Sequence, residues 1–254
     1  VLRHHHRMGD VDVLGDHAVT GVLRLACIDS EAPPLFNLSP DGVNRTGYEP
    51  DVAALVAQQM GRTLEWVFTA WENMIPLVQA GDADAVWCGQ GMTEDRMRQV
   101  NFTQPYAIFN ETVLVRAGDP AKSPADLAGY RVAAITNSTN MALAVTFPGI
   151  IPVEFGASDD VFGDMIEAVR NGSVDAMVDD DVVTVPIPEM DPAFDVAFTV
   201  QTRNRWGIGV EKSNDDLRAE INAALDAIKA DGRLQQVWSK WMPSLPYPFV
   251  GEDA

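Results

Sequence analysis

An arginine that follows a glycine-rich turn and opens a helix is a receptor for an anion, and residues 82–106, DADAVWCGQGMTEDRMRQVNFTQPY, put Arg96 in that position. Gly89 and Gly91 let the backbone approach a ligand closely. Thr93 reads as an N-cap, and Glu94 and Asp95 after it suit the positive end of a helix dipole. A guanidinium in that first turn, beside free backbone N–H groups, offers fork geometry to a carboxylate or phosphate. On these residues alone, Arg96 is equally the partner of Asp95 or Glu94 on a solvated helix face.

Ligands of open parallel sheets sit beyond the carboxyl ends of the strands, which makes the residues just after each expected strand the ones to weigh. They are Asp29 and Glu31, Trp71, Gln90 with Gly91 and Thr93, Ser138 with Thr139, and Asp179 to Asp181. Arg96 offers parallel donors to a carboxylate, Ser138 and Thr139 bring hydroxyls and N–H groups to a helix start, and Asp180 can accept from an ammonium. Together these are the needs of a small zwitterion. Three adjacent aspartates also read as a solvated acidic turn or a divalent-metal site; one binder and two bystanders is the division we expect. Trp71 either stacks on a ligand or packs a helix onto the sheet. Trp87, Phe68 and Trp238 read as core.

The elements that must carry these residues alternate. Val22 to Ile28 read as a strand, Asp51 to Met60 as a helix stopped by Gly61, Leu64 to Phe68 as a strand, Trp71 to Gln79 as a helix, and Asp84 to Cys88 as a buried strand. This is the pattern of a parallel sheet wound with helices. Ser30 to Gly47 form an irregular loop. Glu111 to Arg116 is a first crossing, after which Arg131 to Ile135, Met141 to Phe147, Val153 to Phe155, Phe162 to Arg170 and Asp175 to Val178 repeat the alternation. Trp206 to Glu211 is the return crossing. Residues 215–230 are an amphipathic helix with Leu217, Ile221, Leu225 and Ile228 on one stripe, and a last helix carries Leu234, Val237, Trp238 and Trp241.

The 254 residues suffice for two lobes, and 46% hydrophobic with 22% charged residues is ordinary for a globular chain. Eighteen Lys and Arg against 37 Asp and Glu give a formal charge of −19, which repels phosphate backbones and anionic lipid and argues against nucleic acid as a partner. The two cysteines, Cys27 and Cys88, read as buried free thiols in one lobe. Residues 1–20, with His4, His5 and His6, read as a processed leader or added tail, outside the fold. No GxSxG, Walker, HExxH or CxxC pattern occurs, and all four histidines fall in the first 17 residues. Histidine catalysis is therefore not expected, nor is a cofactor or metal.

GQGMTEDR at 89–96 followed by VNFTQPY at 100–106 resembles the periplasmic amino-acid-binding proteins of ABC importers. So do GYEPDVAALVAQQMG at 47–61, WENMIPLVQAGDADAV at 71–86, GYRVAAITNST at 129–139, GSVDAMVDDD at 172–181 and LRAEINAALDAIKADGRLQQVWSKW at 217–241, in the same order and covering about residues 21–243. The resemblance implies a two-lobed periplasmic-binding-protein-like α/β fold of type II, with a mostly parallel sheet in each lobe, a two-strand hinge and a ligand cleft between the lobes. It places lobe 1 at 21–111 and 207–254 and lobe 2 at 112–206. It implies a periplasmic or extracellular monomer, its signal peptide removed, that closes on an amino acid and delivers it to an ABC permease. Arg96 would clamp the α-carboxylate, Asp180 would take the ammonium, and Trp71 and Asp29 match aromatic and acidic family positions near the ligand side chain. The chain departs from the pattern at Ala32, where the family has a stacking aromatic, at Gly91, where a hydroxyl is common, and at Cys88. With Arg96 as the one placed cation among several carboxylates, a cationic or neutral polar ligand side chain is expected over an acidic one. Cyclohexadienyl dehydratases share the fold and use a carboxyl acid, for which Glu31 or Asp181 could serve; a receptor's ligand-sensing domain is the third reading.

Overall fold

The computed structural model describes residues 21–29, 31–38, 41, 44–156, 158 and 160–251, so the leader reading of residues 1–20, His4 to His6 included, lies outside the described residues. In chain order the strands are β1 (Val22–Ile28), β2 (Asn37–Leu38), β3 (Arg45–Thr46), β4 (Thr63–Thr69), β5 (Ala85–Val86) and β6 (Asn101–Phe102). There follow β7 (Ala107–Arg116), β8 (Arg131–Ile135), β9 (Ile151–Phe155), β10 (Ala176–Asp180), β11 (Phe194–Trp206) and β12 (Gly209–Val210). The chain divides into two compact units. One holds the part up to Ala107, Arg205–Trp241 and the stretch from Tyr247; the other holds Ile108–Asn204 and Met242–Pro246.

The first unit carries a sheet ordered β4-β1-β5-β12-β6. β1 pairs in parallel with β4 and β5, while β12 runs antiparallel to β5 and β6. Parallel neighbours need crossovers, and the helices Tyr48–Met60 and Met74–Gln79 supply them. The first ends at Gly61 in the left-handed conformation, φ 69°. The helix Asp215–Ala230 is capped by the Asn214 side chain, which accepts from Leu217 N–H at 3.3 Å, and it buries Leu217, Ile221, Ala224, Leu225 and Ile228. That spacing is one helical stripe, as the sequence predicts. Tyr48 stacks on Tyr106 at 6.3 Å and meets Trp238 edge-on at 5.5 Å, which makes the base of the core aromatic.

The second unit has a sheet ordered β11-β7-β10-β8-β9, with β8 parallel to β9 and β10 and β7 antiparallel to β10. Period-two alternation sends its side chains to two separate cores. Val113, Val132 and Val178 join Leu127, Met141 and Phe147 on one face, and Leu114, Ala133 and Met177 join Met165, Val169 and Phe194 on the other.

Several expectations shift. The stretch expected as a strand over Asp84 to Cys88 narrows to Ala85–Val86, with the Asp84 and Trp87 N–H groups still donating to Arg24 O and Ala26 O, before the chain bends into the Gly89 turn. Trp71 to Gln79 splits into a 3-10 turn, Trp71–Asn73, and the helix Met74–Gln79. The helix expected at Met141 starts at Thr139, since Ser138 caps it. β11, FDVAFTVQTRNRW, is a strand that the sequence does not announce: its exposed and half-buried polar positions mask the alternation. Phe68 is not core. It is 38% exposed, and its ring supports a guanidinium described next.

Candidate functional site

Because β1, β4 and β5 run in one direction, Asp29, Trp71 and the turn Gly89 to Gly91 follow strand ends at one edge of the first sheet. Gly89 has φ 58°, and a Cβ there would stand 2.9 Å from the Trp206 ring, so both the turn and the indole require glycine. Thr93 caps the helix Glu94–Gln99, accepting from Arg96 N–H at 3.3 Å. The first-turn Arg96 then folds back, donating from Nη1 to Gly91 O at 2.9 Å with its guanidinium carbon 5.5 Å from the Trp71 ring centroid. Trp71 is 42% exposed, so it is a wall and not a brace for the sheet. Asp95 pairs instead with Arg98 at 3.2 Å. Among the described residues no carboxylate lies within ion-pair distance of Arg96, and burial lowers its pKa from the usual arginine value against the pull of Asp95. Gln90 is 2% exposed with Oε1 unpartnered.

An open pocket of about 410 Å³ is lined by Ile28, Asp29, Thr69, Ala70 and Trp71. A larger one, about 510 Å³ against Val78, Asp84 and Glu211, shares no residue with the predicted set. Asp29 is exposed, and Arg45 reaches it at 3.4 Å while donating to Ile28 O at 3.1 Å. The Arg45 side chain is buried and lies 4.5 Å from the Phe68 ring centroid and 6.0 Å from that of Phe36. The sequence leads one to expect Arg96 as the one placed cation, and Arg45 corrects that: it sits on β3, inside a loop that reads as irregular. Glu31 is turned elsewhere, accepting from Leu38 N–H at 3.0 Å. Sequence reading also missed Glu49. It is fully buried behind the glycine turn, and burial pushes its pKa to about 8 while the Tyr106 hydroxyl, donating at 2.8 Å, and more weakly Trp87 and the Gly89 N–H pull it back. Its one sequence signal is an acidic residue in the first turn of a helix, a place that Asp51 shares.

In the second unit β8 and β10 are parallel, so Ser138 and Asp180 follow strand ends at one edge, and the register pairs Asp180 with Glu111 of β7. The Ser138 hydroxyl is spent on the cap: it accepts from Met141 N–H at 3.0 Å and donates to Ile135 O at 2.6 Å. Thr139, the first helical residue, is exposed. Asn140 is buried, and with its amide nitrogen toward the carboxylates it donates to Glu111 at 2.7 Å and Asp180 at 3.2 Å. Sequence reading missed Asn140 and Glu111.

The three aspartates are no solvated turn. Asp179 is buried, accepting from Asp180 N–H at 2.7 Å with Oδ2 unpartnered, and Asp181 is buried with Oδ1 unpartnered. Burial, then Glu111 and Asp181, push Asp180 to about 7; Asn140 opposes this. Burial likewise lifts Asp181 to about 6, and raises Asp179 and Glu111. Among the described residues no group of His, Cys, Asp and Glu is arranged to hold a metal ion, and no helix is long and apolar enough to cross a membrane.

The family model for bacterial extracellular solute-binding proteins, family 3, matches residues 24–244. The chain is 30% identical over 224 residues to ABC transporter arginine-binding protein 1 of Escherichia coli (strain K12), covering 85% of this chain and 89% of the relative. It is 27% identical over 218 residues to the ABC transporter glutamine-binding protein GlnH of Bacillus subtilis (strain 168), covering 84% and 78%. The crystal structure of the ancestral amino acid-binding protein AncCDT-1, a precursor of cyclohexadienyl dehydratase, matches with a TM-score of 0.73 at 27% identity, covering 90% of this chain and 98% of that one.

Proposed function

The chain belongs to the bacterial extracellular solute-binding proteins, family 3, and we propose that it captures an amino acid with a cationic or neutral polar side chain and hands it to an ABC permease. Arg96 takes the α-carboxylate, with Gly91 and Thr93 fixing its position and Trp71 and Gln90 beside it. Asp180 takes the α-ammonium, with Asn140 and Glu111 orienting it, and the Thr139 N–H serves the carboxylate at the helix start that Ser138 caps, the Ser138 N–H being held by Ile135 O. Asp29 and Trp71 face the side chain in their pocket.

The observation that carries this reading is Arg96: a partly buried guanidinium with no carboxylate partner among the described residues. A desolvated cation held this way gains most from a bidentate anion. The acidic side supports it too, since buried carboxylates with raised pKa values gain from an arriving ammonium. For the side chain, Asp29 already shares Arg45, so a cationic ligand group would compete for it and a neutral polar one would bridge the pair. Relatives that are named for arginine and for glutamine fit both.

A thermal-shift screen across the amino acids tests the function, because a ligand stabilises by mass action, by about 2.7 kcal/mol at a hundredfold excess over Kd. We expect shifts with arginine, lysine, histidine or glutamine. Shifts with glutamate or aspartate alone would overturn the side-chain assignment and leave the carboxylate clamp standing. A second reading has one observation in its favour: Asp181, at about 6, has the pKa of a usable general acid. Turnover of prephenate or arogenate would establish it.

A further inference from the structure

We propose that Cys27 and Cys88 are an oxidisable pair that closes to a disulfide, stapling the ends of two strands that carry the pocket of the first unit. They are the only cysteines of the sequence. Each is 1% exposed, and the Cys27 thiol donates to Cys88 Sγ at 3.3 Å. Cys88 Sγ also accepts from Ile28 N–H at 3.3 Å, so the pair spans the exit of β1 into Asp29 and the stretch that leads from β5 into Gly89. The parallel register, Ala26 opposite Val86, sets Cys27 one residue off the position facing Cys88. In a regular pleat that offset would turn the two side chains to opposite faces, but Cys88 lies two residues past β5, in the bend into Gly89, which brings its sulfur to 3.3 Å from Cys27 Sγ. Closure needs the sulfurs to approach to about 2.05 Å.

The redox balance is simple. One thiolate attacks a protein or small-molecule disulfide, forming a mixed disulfide and releasing the oxidant's first thiolate; the second cysteine attacks the protein sulfur of that mixed disulfide and releases the other, so the two electrons and two protons leave on the oxidant's two thiols. Membership of an extracellular family puts the chain where such oxidants persist. In the folded protein the hydrogen bond to Cys88, then burial, hold the Cys27 thiol far above the ordinary thiol range, so closure belongs to the folding chain, and the finished bond is shielded from reductant.

The test refolds the whole chain from denaturant with oxidised glutathione or with a phosphine reductant, then counts thiols in denaturant, weighs the intact protein and melts it. Oxidative refolding should leave no titratable thiol and a mass lower by about 2 Da, for the two hydrogens lost. The oxidised form should melt higher by about 4–16 °C. Cys27→Ala/Cys88→Ala should melt alike under both conditions; if that variant does not fold, the two wild-type forms decide alone. Two remaining thiols, two glutathione adducts, or equal melting of both wild-type forms would overturn the proposal. None of these readouts uses a ligand, so failure here is separate from failure of the binding assignment.

Discussion

Around Arg96 the first unit partly buries a cation and gives it no carboxylate partner among the described residues, whereas around Asp180 the second unit brings together Glu111, Asp179, Asp180 and Asp181. Neither arrangement is a closed ion pair, but they relieve their strain differently. Burial lowers the pKa of a guanidinium that starts far above neutrality, and it keeps its proton at neutral pH, so its charge lacks a counter-anion. Carboxylates lifted to about 6 and about 7 can take up protons instead. On the proposed assignment, the first region takes a ligand group of fixed charge and the second exchanges its protons for the ligand's ammonium. Any pH dependence of binding near neutrality must come from the second.

The sharpest way to break the contrast is Arg96→Ala, which should cost about 2–5 kcal/mol of binding, roughly thirtyfold to several thousandfold, because the ligand carboxylate loses its bidentate partner. Calorimetry at pH 6 and pH 8 should give the same ratio to wild type; near-wild-type affinity would mean that the carboxylate is held elsewhere. Asp180→Asn should cost about 1.5–3 kcal/mol, the usual range for a hydrogen bond to a charged group. Wild-type affinity should itself weaken as pH falls below about 7, the pKa of Asp180, and the asparagine variant should flatten that profile. A slope that survives the substitution would assign the proton to another group.

Stability of the unliganded protein sharpens the same point. Asp180 has its pKa raised from 3.8 when folded, so its protonated form favours the native state. Its contribution is fully present below about pH 4 and is lost as pH rises through about 7. Denaturant midpoints of wild type minus Asp180→Asn should therefore decline across that window. An increase would reverse the sign that burial implies. Trp71→Ala should cost about 0.5–2 kcal/mol of affinity, the cation–π contribution of a partly exposed ring, and Trp71→Phe less. Smallest of all, Glu31→Gln should leave affinity within about twofold, in keeping with an exposed substitution that touches only the Leu38 amide of β2. A larger loss would return Glu31 to the ligand.

What could be read in advance followed chain distance. Thr93 caps and Arg96 opens a helix as the residues predict, because capping is decided within four residues. The stripe of Leu217, Ile221, Leu225 and Ile228 is likewise local periodicity. Strand β11 escaped because its exposed positions, Asp195, Thr199, Gln201 and Arg205, alternate with half-buried ones that are themselves partly polar (Thr202, Arg203, Asn204), so its alternation has little contrast.

The sequence by itself determined the alternation of strands and helices, the glycine turn that delivers Arg96, and the family. It could not determine which charges meet. Arg45 reaches Asp29 from 16 residues away, Glu49 lies behind Gly89, and Asn140 bridges Glu111 and Asp180 across elements far apart in the chain. Those meetings depend on sheet order and register. Burial then decided the chemistry: an aspartate in the sequence is an ionised acid by default, and only the removal of water and the approach of Glu111 and Asp181 turn Asp180 into a group that titrates near pH 7.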